Sequence, residues 1–157
     1  MNRHSATIPR PALILGLGGL LPFFTTALIV CLVQFTQLPA MFSSDFLVHA
    51  LGAYGAVILS FLGGVRWGKL LDDEARLEQW APLTLSILPS LIAWLALLLE
   101  TRSTLLLLTA GFALQYAQDR AAARRHELPD WFARLRLMLT SGAMASLLVA
   151  FIVLISG

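Results

Sequence analysis

Apolar residues fall in five long blocks, roughly 12–34, 46–66, 82–99, 103–118 and 136–156, separated by short polar stretches. About 20 mostly apolar residues cross the hydrocarbon core of a bilayer as one helix, so the blocks predict five spans. Residues 1–11 are left as a short tail, and 12–157 form a single all-α membrane domain, a compact five-helix bundle. The second block has a finer pattern. Gly52, Ala56, Ser60, Gly64 and Gly68 follow one another at a spacing of four. On a helix such positions lie nearly above one another, forming a slowly winding ridge with almost no side-chain bulk. In lipid such a ridge favours close packing of backbones. This predicts that helix 2 is the central helix, with Tyr54, Phe61 and Val65 filling the gaps beside the ridge.

Composition agrees with a membrane protein. The 157 residues are 58% hydrophobic and 13% charged, with a mean hydropathy of +0.79, which excludes an ordinary soluble globule. Arg3, His4 and Arg10 ahead of an apolar run could front a cleavable signal. The run Ala12–Val33 is longer than a typical signal core and no small-x-small cleavage site follows it, so it reads as a retained helix. Cys31 follows Val30 rather than the small residue a lipoprotein site needs. As the lone cysteine it supports neither an internal disulfide nor a cysteine-based metal site, and it reads as an apolar filler.

Charge gives the bundle an orientation. With five spans, Arg3, Arg10, Arg66, Lys69, Arg76, Arg120, Arg124, Arg125, Arg134 and Arg136 share one face, and of the eleven basic residues only Arg102 lies on the other. The positive-inside rule makes the first face cytoplasmic, with the N-terminus inside and the C-terminus periplasmic. The basic stretch RAAARRHELPDWFARLR then reads as an anchor facing anionic lipid rather than as a nucleic-acid surface. Membrane lipids are the expected partners, with a membrane-protein partner or a second copy of the chain on the ridge, and no nucleic acid.

Local chemistry refines individual spans. Pro89, flanked by Ser86 and Ser90, predicts a kink in helix 3 and a freed carbonyl, a candidate cavity or plain packing geometry. Helix 4 is the least apolar, with Gln115, Gln118 and Asp119 on one face of its inner end. Asp130 reads as the N-cap of helix 5, preceding an interfacial turn that contains Trp131, Phe132, Arg134, Leu135 and Arg136. Arg66 and Asp119 share the depth of the cytoplasmic boundary. They are predicted to approach each other, with Gln115 or Tyr116 completing the hydrogen bonds. An outer set, Gln37, Asp45, His49, Glu100 and Arg102, is more scattered.

No catalytic or cofactor pattern is present: no phosphate-binding loop, no H-E-x-x-H, no C-x-x-C. The acidic run Asp72, Asp73, Glu74 lacks histidine partners and calcium-loop spacing, and reads as a solvated loop. His49 has no second intramembrane histidine with which to ligate a haem, so no cofactor or metal is expected.

The segments GAYGAVILSFLGGVRWG, LSILPSLIAW, GFALQYAQDR and LPDWFARLRLMLT make the chain similar to bacterial members of the domain of unknown function 3429 family. The likeness runs from helix 1 to helix 5, and ILSFLGGVRWG is its most specific piece. The resemblance implies an integral membrane protein of bacteria or mitochondria with no established activity, so the matching residues are motif positions rather than known sites. The N-terminal segment, with few Ser and two Arg, is unlike a mitochondrial presequence, which favours the bacterial inner membrane. Two functions are expected from these residues. One is a non-enzymatic accessory or assembly-type bundle acting through helix packing. The other is a small transporter or a binder of a lipophilic molecule such as a quinone or lipid, with a cavity near Ser60, Pro89 and Gln115.

Overall fold

A computed structural model describes residues 7–36, 43–72, 77–125 and 127–156. Gln37, Asp73, Glu74 and Arg76, together with Arg3 and His4, lie outside the described residues, so most of the acidic run and part of the outer polar set are not placed. The described residues form five long helices and no strand: α1 (Arg10–Thr36), α2 (Ser44–Leu70), α3 (Trp80–Leu97), α4 (Thr101–Arg124) and α5 (Asp130–Ser156). Each of the five apolar blocks therefore forms one helix. Four of them are long and apolar enough to cross a membrane. The exception is α4, whose second half carries Gln115, Gln118, Asp119 and Arg120.

Helix ends follow local chemistry. Ser43 caps α2, its hydroxyl accepting from the Phe46 N–H at 3.2 Å. Asp130 is the first residue of α5 rather than its cap. The carbonyl of Pro129 accepts the first bonds of the helix, from the N–H groups of Phe132 and Ala133. An acid inside the first turn still complements the helix dipole. Both Pro22 and Pro89 lie inside continuous helices.

Helix α2 is the only one that packs on all four others, as a central helix must. Its buried side chains, Leu47, Val48, Leu51, Ala56, Leu59 and Leu62, meet Phe23 of α1, Leu105, Leu108 and Phe112 of α4, and Leu147 of α5 in one core. Phe23 holds its ring edge-on to both Tyr54 and Phe112, with centroids 5.0 and 6.0 Å away. The Tyr54 hydroxyl donates to the Gly19 carbonyl at 2.9 Å, tying α2 to α1. Thr104 Oγ1 donates to the Ala96 carbonyl at 2.7 Å and ties α4 to α3. Arg102 donates to the Leu154 carbonyl near the end of α5, where a cation also suits the helix dipole.

The ridge on α2 is only half covered. Gly52 and Ala56 are buried, Ser60 is half-buried, and Gly64 and Gly68 are exposed with open space where a Cβ would stand. The reason is helical geometry. A step of four residues advances about 40° beyond a full turn, so four steps carry the ridge nearly halfway round the helix. Close approach instead occurs at Gly63, where an added Cβ would lie 2.5 Å from the Ser86 carbonyl oxygen. Gly111 of α4 is also close-packed, an added Cβ lying 2.6 Å from Leu59 Cδ2, but there the neighbour is the end of a flexible side chain. Phe61 and Val65, expected to fill gaps beside the ridge, point outward and are exposed.

Candidate functional site

One end of the bundle gathers the C-terminal turns of α2 and α4 with the N-terminal turns of α3 and α5. Asp119 stands there, buried on the inward stripe of α4 with Leu108, Phe112 and Gln115. Three side chains converge on its carboxylate. Arg136 Nε donates to Oδ2 at 2.8 Å, and Gln115 Nε2 donates to Oδ1 at 3.0 Å, one helical turn earlier. Arg66 Nη1 lies 3.9 Å from Oδ1, an ion pair without a hydrogen bond. The expected approach of Arg66 and Asp119 with Gln115 is thus present in the geometry. Tyr116 is half-buried and makes no hydrogen bond to the cluster.

The stronger partner is Arg136, a residue expected in an interfacial turn. Arg136 is only 4% exposed. Its burial had a readable signal: residues 136, 140, 143, 147 and 150 follow the alternating four-three spacing of an inward stripe, and all five are buried. A charge on that stripe is carried into the core by the helix. There it needs an acid at the same depth, and Asp119 supplies it.

Two arginines share one carboxylate, so the cluster holds one positive charge in excess among the described residues. Its hydrogen bonding is incomplete as well. Arg66 Nη1, Arg136 Nη2, Gln115 Oε1 and Thr140 Oγ1 are buried without a hydrogen-bond partner. Buried polar groups left unpaired cost about 1–3 kcal/mol each, so this cluster has unfilled capacity for a polar ligand or water.

Two cavities flank the cluster. A cavity of about 640 Å³ opens at this end, bounded by Arg66, Lys69, Asp72, Asp119, Arg125 and Glu127 and by the apolar Val65, Leu70, Pro82, Leu85, Leu128 and Phe132. Within its rim Arg125 Nε pairs with Glu127 at 3.0 Å. A smaller slot of about 150 Å³ lies on the other side, between α1, α2, α4 and α5. Asp119 lines the first and Arg136 the second, so the 2.8 Å bond between them separates the two spaces.

The remaining expected positions lie elsewhere. Ser86 and Pro89 are buried, with Pro89 packed beside Gly63, while Ser90 is half-buried. Neither cavity is lined by Ser60, Pro89 or Gln115. The space expected at the α3 proline is filled because Gly63 lets the two helices close on it. In the outer set, Glu100 accepts locally from Ser103, Arg102 reaches across to the Leu154 carbonyl of α5, and Asp45 and His49 are exposed. Among the described residues no group of three His, Cys, Asp or Glu side chains is arranged to hold a metal ion.

Comparison with known proteins gives the chain its family. Residues 8–152 match the family model described as "Protein of unknown function (DUF3429)". The chain is similar to Transmembrane protein 69 of Xenopus tropicalis, 40% identical over 144 residues, covering 88% of this chain and 53% of the relative. To Transmembrane protein 69 of Mus musculus it is 31% identical over 145 residues, covering 92% of this chain and 56% of the relative. The chain therefore spans about half the length of these relatives. No solved structure matches it. With the family model covering nearly the whole bundle, including Arg66, Asp119 and Arg136, the chain belongs to the DUF3429 family of transmembrane proteins.

Proposed function

We propose that the protein is a non-enzymatic, five-span protein of the bacterial inner membrane that binds an anionic phospholipid by its headgroup, in the 640 Å³ cavity at the basic end of the bundle. In this reading α4 is the fifth span, the N-terminus is cytoplasmic and the C-terminus periplasmic. The partition of the basic residues supports that orientation, since five spans set ten of the eleven on one side.

The observation that carries the proposal is the composition of the cavity wall. Arg66, Lys69 and Arg125 share the rim with Asp72, Asp119 and Glu127, with Arg125 paired to Glu127, and Leu85, Leu128 and Phe132 are among the apolar lining. Its size falls in the range of about 300–1,000 Å³ common for small-molecule sites. A headgroup phosphate would accept from Lys69 and from Arg66, whose ion pair with Asp119 is a long 3.9 Å, while acyl chains follow Val65, Leu85 and Phe132 toward the hydrocarbon. Native mass spectrometry of the protein from mixed nanodiscs of anionic and zwitterionic phospholipid tests this. Preferential retention of the anionic lipid, reduced in Lys69→Gln, supports it; equal retention of the two classes contradicts it.

A packing role is the second reading. Its specific support is the uncovered half of the α2 ridge, Gly64 and Gly68, beside the exposed Phe61 and Val65. A membrane-protein partner or second copy seated there would be displaced by Gly64→Leu, read as a smaller particle in mild detergent. An unchanged particle size in that variant counts against it.

A further inference from the structure

We propose that the lateral slot is a second binding site, for a single-chain amphiphile with a carboxylate head, seated on Arg136 and Thr140. Three observations meet here. The first is an unfilled donor set: Arg136 and Thr140 both line the slot, each is 4% exposed, and Arg136 Nη2 and Thr140 Oγ1 have no hydrogen-bond partner. Neighbouring positions one turn apart on α5 place both donors at the same end of the slot.

The second is charge. Arg136 and Arg66 share the Asp119 carboxylate, so the cluster behind the slot's polar end carries a net positive charge among the described residues. In a low-dielectric interior an anion is attracted there more strongly than a neutral acceptor such as a ketone or ester. A carboxylate has the two oxygens needed to accept from Arg136 and Thr140 together.

The third is shape. From Arg136 to Ala143 the slot follows α5 for about 10 Å, at 1.5 Å per residue. Everything beyond the polar end is apolar, with Leu20, Phe23, Leu62 and Leu139 among its walls, and its mouth lies beside the exposed Leu15 and Phe61 of α1 and α2. Its volume of about 150 Å³ is that of an apolar cavity known to hold one benzene molecule, room for the first stretch of one chain and too small for a two-tailed phospholipid. The head would sit at the basic end of the bundle with the tail running toward the middle of the membrane and out between α1 and α2. This site is separated from the phospholipid cavity by the Arg136 to Asp119 bond and does not rest on that reading.

Photolabelling tests it, using the full-length protein in zwitterionic nanodiscs and a long-chain fatty acid carrying a diazirine on its tail. The expected result is a label concentrated on the α1 segment 15–23 and the α2 segment 58–62, competed by unmodified fatty acid and not by its methyl ester. Gly19→Leu fills the slot, since an added Cβ there meets only the Tyr54 hydroxyl oxygen at 3.9 Å, and it should cut labelling at least tenfold. Thr140→Val keeps the volume, removes one donor, and should weaken competition severalfold. Unchanged labelling in Gly19→Leu, or label spread evenly over the lipid-facing helices, overturns the site. Equal competition by the methyl ester overturns the carboxylate assignment. Folding of each variant is checked by an unchanged thermal midpoint, and Ala143→Leu, filling the slot from α5, is the substitute where Gly19→Leu lowers it.

Discussion

Arg136 near the start of α5 and Asp119 near the end of α4 meet at 2.8 Å with both side chains only 5% exposed. Seventeen residues separate them in sequence, across the α4–α5 turn. Such a pair locks the two helices in depth and rotation. Its net stabilisation over an apolar pair is small, because desolvating both ions offsets most of their attraction, but breaking it is costly. Asp119→Ala should therefore lose about 3–5 kcal/mol, leaving two arginines without an acid. The double variant Asp119→Ala with Arg136→Met should recover a large part of that loss. Thermal unfolding in detergent, read as a double-mutant cycle, checks it, and strictly additive losses would contradict a direct pair.

Arg66 offers the contrast. At 3.9 Å from Asp119 and with its side chain 20% exposed, it keeps contact with the open cavity. Arg66→Gln should cost no more than about 1 kcal/mol, the range of exposed ion pairs. A loss equal to that of Arg136→Gln in the same melting experiment would show that the two arginines are equivalent, against the geometry.

Glycines on α2 should separate by what they face. Gly63→Ala drives a Cβ to 2.5 Å from the Ser86 carbonyl, a backbone atom that can move only with α3, and should cost about 1–3 kcal/mol. Gly68→Ala enters open space and should be neutral or gain up to about 1 kcal/mol in helix propensity. Midpoints that order the two variants the other way would mean that the ridge, and not Gly63, makes the close contact.

Much of this architecture was legible in the chain. The apolar blocks give five helices because membrane-length helices need long uninterrupted runs, and the shared depth of Arg66, Gln115 and Asp119 along their helices points to three members of the cluster. Rotation was harder to read. Gly64 and Gly68 share a spacing with Gly52, yet the slow drift of that spacing turns them to the outside. Arg136 carries the opposite lesson: its charge suggested a boundary, while its place four residues before Thr140 and seven before Ala143 put it inside. In lipid, hydrophobicity no longer distinguishes inside from outside, so the facing of each helix is decided by polar and small residues. The cavities depend on how far helices stand apart, which no single-helix pattern encodes.

Helix α4 is the one helix whose hydropathy alone does not establish a crossing. If it spans, its two ends lie on opposite sides. In a Cys31→Ser background, single cysteines at Leu99 and Leu128 should then label from opposite faces of sealed inverted and right-side-out vesicles, Leu128 from the cytoplasmic face. Labelling of both from one side would make α4 a helix that enters the bundle without crossing.

The most direct test of lipid binding at the basic end is a crystal structure grown from a lipid mesophase doped with anionic phospholipid. The expected result is a headgroup phosphate within hydrogen-bonding distance of Lys69 or Arg66, with a chain along Leu85 and Phe132. A cavity filled by ordered water alone, with Lys69 turned away into solvent, would contradict it.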